Sequence, residues 1–293
     1  MRVLVVGRVG QVGTELALKL PAAGHQVLST EPPELDLLRP ETVRAAFEAF
    51  RPEVVVNAAA YTAVDKAEDD SALAYAINRD GTALLGRETA RLGVPMVHFS
   101  TDYVFAGDKA APYVEGDPTG PIGVYGASKL AGDLALAEAN PRHLVLRTAW
   151  VCSAHGGNFV KTMLRLGRER AEVGVVADQL GAPTFADDLA DAVVALLPRL
   201  VAAPAGDAGF GTFHLTGQPF TSWHGFAAAI FAGAAARGAP IPVLRAISTA
   251  DYPTRARRPA NSRLDCSRLA AVHGVRAADW RVSLDRCLGV LLG

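Results

Sequence analysis

Cysteine is scarce in this chain. Its 293 residues include three, Cys152, Cys266 and Cys287, an odd number without metal-site spacing, which argues against a disulfide framework or a zinc module. They read as ordinary thiols of a reducing compartment, and a cytoplasmic location is expected. An excess of either charge is lacking as well: 29 Lys and Arg stand against 30 Asp and Glu, a net charge of -1. No global field recruits nucleic acid or an anionic membrane surface, so any anion site must be built locally. Long apolar runs are missing too. The N-terminal run, residues 3–6, is too short for a signal segment or a membrane span and leads straight into glycines. Repeats, low-complexity tracts and long linkers are also lacking.

What is present is core material. Half of the residues are apolar and a fifth are charged, enough for one large domain or two modest ones. Strand-like and helix-like stretches alternate through residue 150. That pattern predicts an α/β fold with a doubly wound parallel sheet. Residues 71–92 read as one long helix with a polar Asn78 inside it. Ser222 reads as the N-cap of an Ala-rich helix, and two helices, 265–272 and 279–291, are expected to close the chain.

Chemistry concentrates at Tyr125 and Lys129. Four residues apart on a helix they share a face, so the ammonium is expected to sit near the phenol and lower its pKa. A tyrosine packed beside a solvated lysine is the plain alternative. Residues 7–13, with Gly7, Gly10 and Gly13, follow a buried strand and open a helix. In that setting backbone N–H groups hold a pyrophosphate. The second strand ends at Thr30 and Glu31, where such a fold meets the adenosine ribose. The carboxylate favours a free 2′-hydroxyl, whereas Arg8 suits a 2′-phosphate. The small residues 58–60 after the third strand let a flat cofactor approach the backbone. Thr101 and Asp102 fall at the carboxyl end of another strand, on the reactive rim. His98, within that strand, reads as a core histidine. Asp187, Asp188 and Asp191 complement a helix dipole. The loop 251–263 gathers Arg255, Arg257, Arg258 and Arg263, a set suited to gripping a diphosphate.

Together, the glycine turn, the Thr at a central strand's end and the Tyr-x-x-x-Lys pair resemble the extended short-chain dehydrogenase/reductase superfamily. Within it the chain is similar to the dTDP-4-dehydrorhamnose reductase family along its whole length, through blocks 7–13, 56–65, 100–105, 178–184 and 258–264 in order. The resemblance implies a Rossmann-like domain over 1–150, with 176–215 returning to it, and a substrate-binding subdomain from 151–175 and 216–293. It implies NADPH as cofactor, with NADH the alternative, cradled by Gly7, Gly10, Gln11 and Val12. Asp36 and Leu37 would contact the adenine, with Thr30, Ala60, Tyr61 and Thr62 nearby. Thr101, Asp102 and Trp150 would contact a dTDP-sugar, with Arg258 a candidate for its phosphates.

The implied reaction is reduction of the C4 keto group of dTDP-4-dehydro-L-rhamnose. Tyr125 would donate the proton, Thr101 would bind the carbonyl oxygen, and Lys129 would hold the nicotinamide ribose and tune Tyr125. A related nucleotide-sugar ketoreductase or epimerase, or a non-catalytic regulatory subunit, are the alternatives. A monomer or homodimer is expected. Some relatives bind Mg²⁺ through a carboxylate at the position of Glu15 with acids near Asp187 and Asp188 of a partner subunit. Here Glu15 is read as a solvated first-turn carboxylate, and no metal site is assigned. Three positions depart from the family pattern: Gly123 stands for Asn, Cys152 for Tyr, and Thr30 for an acidic residue, with Glu31 adjacent.

Overall fold

The computed structural model describes residues 1–276 and 278–293. In chain order the strands are β1 (Arg2–Val6), β2 (Gln26–Thr30), β3 (Val54–Asn57), β4 (Met96–Thr101), β5 (His143–Thr148), β6 (Val151–Cys152), β7 (Glu172–Val176), β8 (Leu180–Gly181), β9 (Thr184–Phe185), β10 (Gly211–His214), β11 (Thr221–Ser222) and β12 (Val243–Ile247). Six of them form one parallel sheet in the order β10-β5-β4-β3-β1-β2. The chain leaves β1 for β2 on one side and returns to β3 on the other. Ligands bind at such a switch, beyond the carboxyl ends of the strands.

The helices are α1 (Gln11–Ala22), α2 (Pro40–Phe50), α3 (Val64–Ala67), α4 (Ser71–Tyr75), α5 (Thr82–Leu92), α6 (Val124–Ala139), α7 (Phe159–Glu169), α8 (Ala186–Ala202), α9 (Trp223–Ala235), α10 (Ser267–His273) and α11 (Trp280–Leu292). Side chains alternate along β1, and both sets are buried. Val3 and Val5 join Leu16 and Leu20 of α1 and Leu189 and Val193 of α8. Leu4 and Val6 join Phe47, Leu85 and Leu136 on the opposite face. Helices therefore cover the sheet on both sides, which is why its strands read as continuous apolar runs. A second core, with Val160, Met163, Phe226, Ile230, Trp280 and Leu284, is built mainly from α7, α9 and α11. It lies beside the paired β7 and β12. Ser222 caps α9 as expected, accepting from Gly225 N at 3.0 Å.

The single helix expected over residues 71–92 is interrupted. Between α4 and α5 the chain widens into a π-helical segment, Ala76–Gly81. Asn78 sits within it and spends its side chain outside the helix, accepting from Tyr61 N at 2.8 Å and donating to Tyr61 O at 3.1 Å. Wide turns of this kind commonly mark functional sites. The backbone here also packs closely on α6: a Cβ on Gly132 would stand 2.1 Å from Asn78 O. The terminal helices start slightly later than expected, because Asp265 and Asp279 serve outside them as acceptors for Ser267 N and Arg281 N. Among the described residues no helix is long and apolar enough to cross a membrane.

Candidate active site

The turn after β1 is held by two glycines that admit no side chain. Gly7 has φ +98°, and a Cβ on it would lie 2.6 Å from Ala59 N at the end of β3; one on Gly13 would lie 1.8 Å from Gly7 O. Gly10 differs, with nothing closer to its missing Cβ than Gly7 O at 3.7 Å. It is the N-cap of α1 and provides no side-chain cap. The first N–H groups of α1 thus face the switch crevice beside an unobstructed glycine, the arrangement an anion requires. Gln11 ties this turn to β6 and to the N-cap of α7, donating to Val151 O at 3.3 Å and accepting from Asn158 Nδ2 at 2.9 Å. Val12 packs partly buried against the first core.

Around the crevice, Thr30 is tied into the sheet: its buried hydroxyl donates to Val5 O at 3.1 Å, and its carbonyl receives Gly7 N and Arg8 N. Glu31 is the residue that reaches the turn, accepting from Val9 N at 3.3 Å. Arg8 meets Ser29 O and Glu34. Asp36 caps its own turn through Leu38 N. Leu37 lies against the π segment, where a Cβ on Gly81 would approach it to 2.7 Å. Ala60, Tyr61 and Thr62 follow β3, with Tyr61 clamped by Asn78 and its hydroxyl donating to Asp70 at 3.0 Å.

Thr101 ends β4, and its hydroxyl donates to Asp102 Oδ1 at 3.1 Å while accepting from Tyr103 N at 3.2 Å. Tyr125, on the first turn of α6, packs edge-on to Tyr103 with ring centroids 5.6 Å apart. Burial raises its phenol above the ordinary range, and a hydrogen bond with Thr101 opposes the rise. Lys129 does not produce the depression expected of it. Its buried side chain runs down to β4, where Nζ donates to Phe99 O at 2.6 Å and lies 3.1 Å from His98 Nε2. Burial pulls that ammonium down to about 8, opposed by Asp133. The shared helix face is present, but the lysine is committed to the strand beneath.

His98 is a core histidine, as read. Asn57 Nδ2 stands 3.0 Å from its Nδ1, and burial holds the imidazole well below its usual value. Asp102 is buried, with Oδ2 unpartnered, and burial raises its carboxyl to about 6 against hydrogen bonds from Ser262 and Thr101. Trp150 holds φ +50°, rare for a non-glycine residue. Its ring stacks on Trp223 at 3.7 Å, and Gly181 leaves the room, since a Cβ there would lie 2.6 Å from Trp150 Cε2. A cavity of about 410 Å³ opens beside this stack, lined by Tyr103, Phe159, Gln179, Trp223, Tyr252 and Arg258 among others.

The arginine loop is more engaged than a free basic loop. Arg258 donates to Tyr103 OH at 3.1 Å and to Asp65 Oδ2 at 2.6 Å, while Arg255 pairs with Asp69. The solvated reading of Glu15 also fails: its side chain is only 13% exposed, 3.5 Å from His155 Nε2 and within reach of Ser153. Asp187 and Asp188 do begin α8, as the dipole reading requires, and Arg286 bridges both. Cys152 is buried in the second core, where the family pattern has a tyrosine. Among the described residues, no three His, Cys, Asp or Glu are grouped to hold a metal. Sequence reasoning missed Trp223, Glu68 and the pairing of Asp65; each acts through a long-range contact, and only the position of Asp65 inside a family block gave a signal.

This arrangement joins a glycine turn, a rim threonine and a half-buried tyrosine. The model of the RmlD substrate binding domain family matches residues 1–292. A dTDP-4-dehydrorhamnose reductase of Burkholderia thailandensis is 48% identical over 297 residues, covering 100% of this chain and 99% of that protein. The chain belongs to the dTDP-4-dehydrorhamnose reductase family. Among solved structures, a dTDP-4-dehydrorhamnose reductase from Clostridium acetobutylicum superposes with a TM-score of 0.92 at 36% identity, covering 99% of each chain. One from Bacillus anthracis, in complex with NADP, gives 0.89 at 34% identity, covering 98% of each. Family membership accounts for the agreement of fold and makes the Thr101, Tyr125 and Lys129 set the centre of attention.

Proposed function

We propose that the protein is an oxidoreductase that reduces the C4 keto group of dTDP-4-dehydro-L-rhamnose to give dTDP-L-rhamnose, with NADPH as cofactor. The observation that carries this is Tyr125 packed on Tyr103, whose N–H is held by Thr101 Oγ1, at the carboxyl end of β4 and beside the glycine turn at the sheet's switch point. The turn fits a dinucleotide: Gly7 and Gly13 are forced by packing, while Gly10 leaves the α1 N-terminus open. Gly10, Gln11 and Val12 would hold the pyrophosphate, Asp36 and Leu37 the adenine, and Tyr125 the nicotinamide ribose, while Lys129, its Nζ bound to Phe99 O, anchors the helix beneath. NADPH is preferred because Arg8 lies exposed by the turn, although Glu31 at Val9 N is the feature that would favour NADH. When bound, the cofactor supplies the hydride.

The chain's own residues supply the rest. A phenol is protonated at neutral pH in any case, and burial raises Tyr125 further, so it meets the developing alkoxide as an acid. Thr101, oriented by Asp102 and Tyr103 N, places a second hydroxyl at the same rim; its one proton, given to Asp102 Oδ1 in this state, would turn to the carbonyl oxygen as charge grows there. The sugar offers little charge, so the nucleotide end has to supply most of the binding energy. Arg258, at the wall of the cavity beside the Trp150 and Trp223 stack, is the group we assign to its diphosphate. Residues 1–150 and 176–215 would then form the cofactor lobe, with 151–175 and 216–293 the sugar lobe.

The test is loss of NADPH absorbance with dTDP-4-dehydro-L-rhamnose, run alongside other 4-keto sugars and NADH. Turnover restricted to other sugars moves the assignment to a related ketoreductase. No net consumption with any sugar points instead to an epimerase or to a non-catalytic subunit.

A further inference from the structure

The helix that carries Tyr125 has no cap of its own. Its N-cap is Gly123, in extended conformation and without a side chain to receive the first-turn N–H groups. An acceptor nevertheless stands there. Glu68, the residue that ends α3, takes the N–H of Val124 on Oε1 at 2.9 Å. Val124 immediately precedes Tyr125, so this carboxylate fixes the turn from which the phenol projects. A helix start is stabilised by an acceptor oxygen and by negative charge, and Glu68 supplies both.

The contact depends on glycine at position 123. A Cβ there would lie 2.8 Å from Glu68 Oε1, so a side chain at 123 would push the end of the Glu68 side chain off its present place. Asparagine is itself a strong N-cap residue. Glycine with Glu68 reproduces the same function from two elements. The opposite side of the turn is already fixed, because Gly126 packs against Tyr103 O, where a Cβ would come within 2.1 Å. Ser128 donates to Tyr125 O and is itself held by Asn78. The segment that delivers Glu68 is anchored as well: Asp65, one turn earlier, accepts from Ala256 N at 3.0 Å and pairs with Arg258.

We propose that Glu68 is a positioning residue for Tyr125, an N-cap supplied from another helix that glycine at position 123 admits; its catalytic consequence rests on Tyr125 being the proton donor. The experiment compares Glu68→Ala, Gly123→Asn and the double variant, reading amide hydrogen exchange over residues 124–128 together with kcat and KM. Glu68→Ala is expected to speed exchange of that turn about fivefold or more and to lower kcat by a similar factor, with KM for both substrates held. Gly123→Asn alone should stay near the parent, since the new side chain caps as it displaces Glu68. In the double variant, the asparagine introduced by Gly123→Asn should restore exchange and kcat to within about twofold of the parent. Unchanged exchange in Glu68→Ala, or a double variant no better than Glu68→Ala, overturns the cap. Exchange that responds while kcat stays fixed overturns the positioning role and leaves the cap intact, whereas a Tyr125→Phe enzyme that keeps its kcat shows instead that the proton-donor reading has failed.

Discussion

Asp65 Oδ2 lies 2.6 Å from Arg258 Nη2, so the guanidinium at the wall of the proposed nucleotide cavity is already held by a carboxylate. Its other arm donates to Tyr103 OH, which aims the plane of the fork. Arg258→Ala is expected to raise KM for the dTDP-sugar about tenfold to a hundredfold and to leave NADPH affinity unchanged. Arg258→Lys should recover little of this, because a single ammonium cannot span both partners. Steady-state kinetics and calorimetric titration with dTDP check both statements.

Removing the Tyr125 hydroxyl takes away the buried acid and leaves the glycine turn untouched. Tyr125→Phe should lower kcat by about 10²–10⁴ while NADPH still binds. Thr101→Val removes a second donor and should cost about 10–10². A Tyr125→Phe enzyme that keeps most of its kcat would sink the proton-donor assignment.

Lys129 carries a pH signature. Burial depresses its pKa to about 8 from 10.5, so between those values the unfolded chain binds more protons than the folded one. Stability attributable to this residue therefore rises with pH: the penalty is fully present below 8 and relieved by 10.5, a change on the order of 3 kcal/mol. Lys129→Met lacks that titration. The urea midpoint of the parent relative to Lys129→Met should improve between about pH 7.5 and 10; a difference that does not move with pH contradicts the burial argument.

Trp223 should behave as a substrate-side residue although it lies far from the Tyr125 motif in sequence. It backs Trp150, whose left-handed backbone is retained by the stack and by the room at Gly181. Trp223→Ala should raise KM for the sugar about tenfold with a smaller change in kcat. Equal losses in NADPH affinity would show that the stack serves the fold rather than the substrate.

The parts legible in sequence are those set by local pattern. The alternating apolar runs revealed the parallel sheet because strands buried on both faces need no polar positions. Gly7 and Gly13 stood out because backbone proximity leaves no other choice. The Tyr125 and Lys129 spacing correctly put both on one helix face, but the direction of Lys129 depended on Phe99 O and His98, thirty or more positions away. Glu15 was misread for the same reason: its partners, Ser153 and His155, come from another element. The break at Asn78 was invisible, since a π turn leaves the helical periodicity of its flanks intact.

That π turn has a mechanical consequence. Its Asn78 carbonyl presses on Gly132 in α6, while the Asn78 side chain grips both Tyr61 and Ser128. The cofactor-side loop and the helix bearing Tyr125 are thereby welded into one plate, and neither can slide without carrying the other. A displacement of Tyr61 relative to the helix that carries Tyr125 has to break all of these contacts at once.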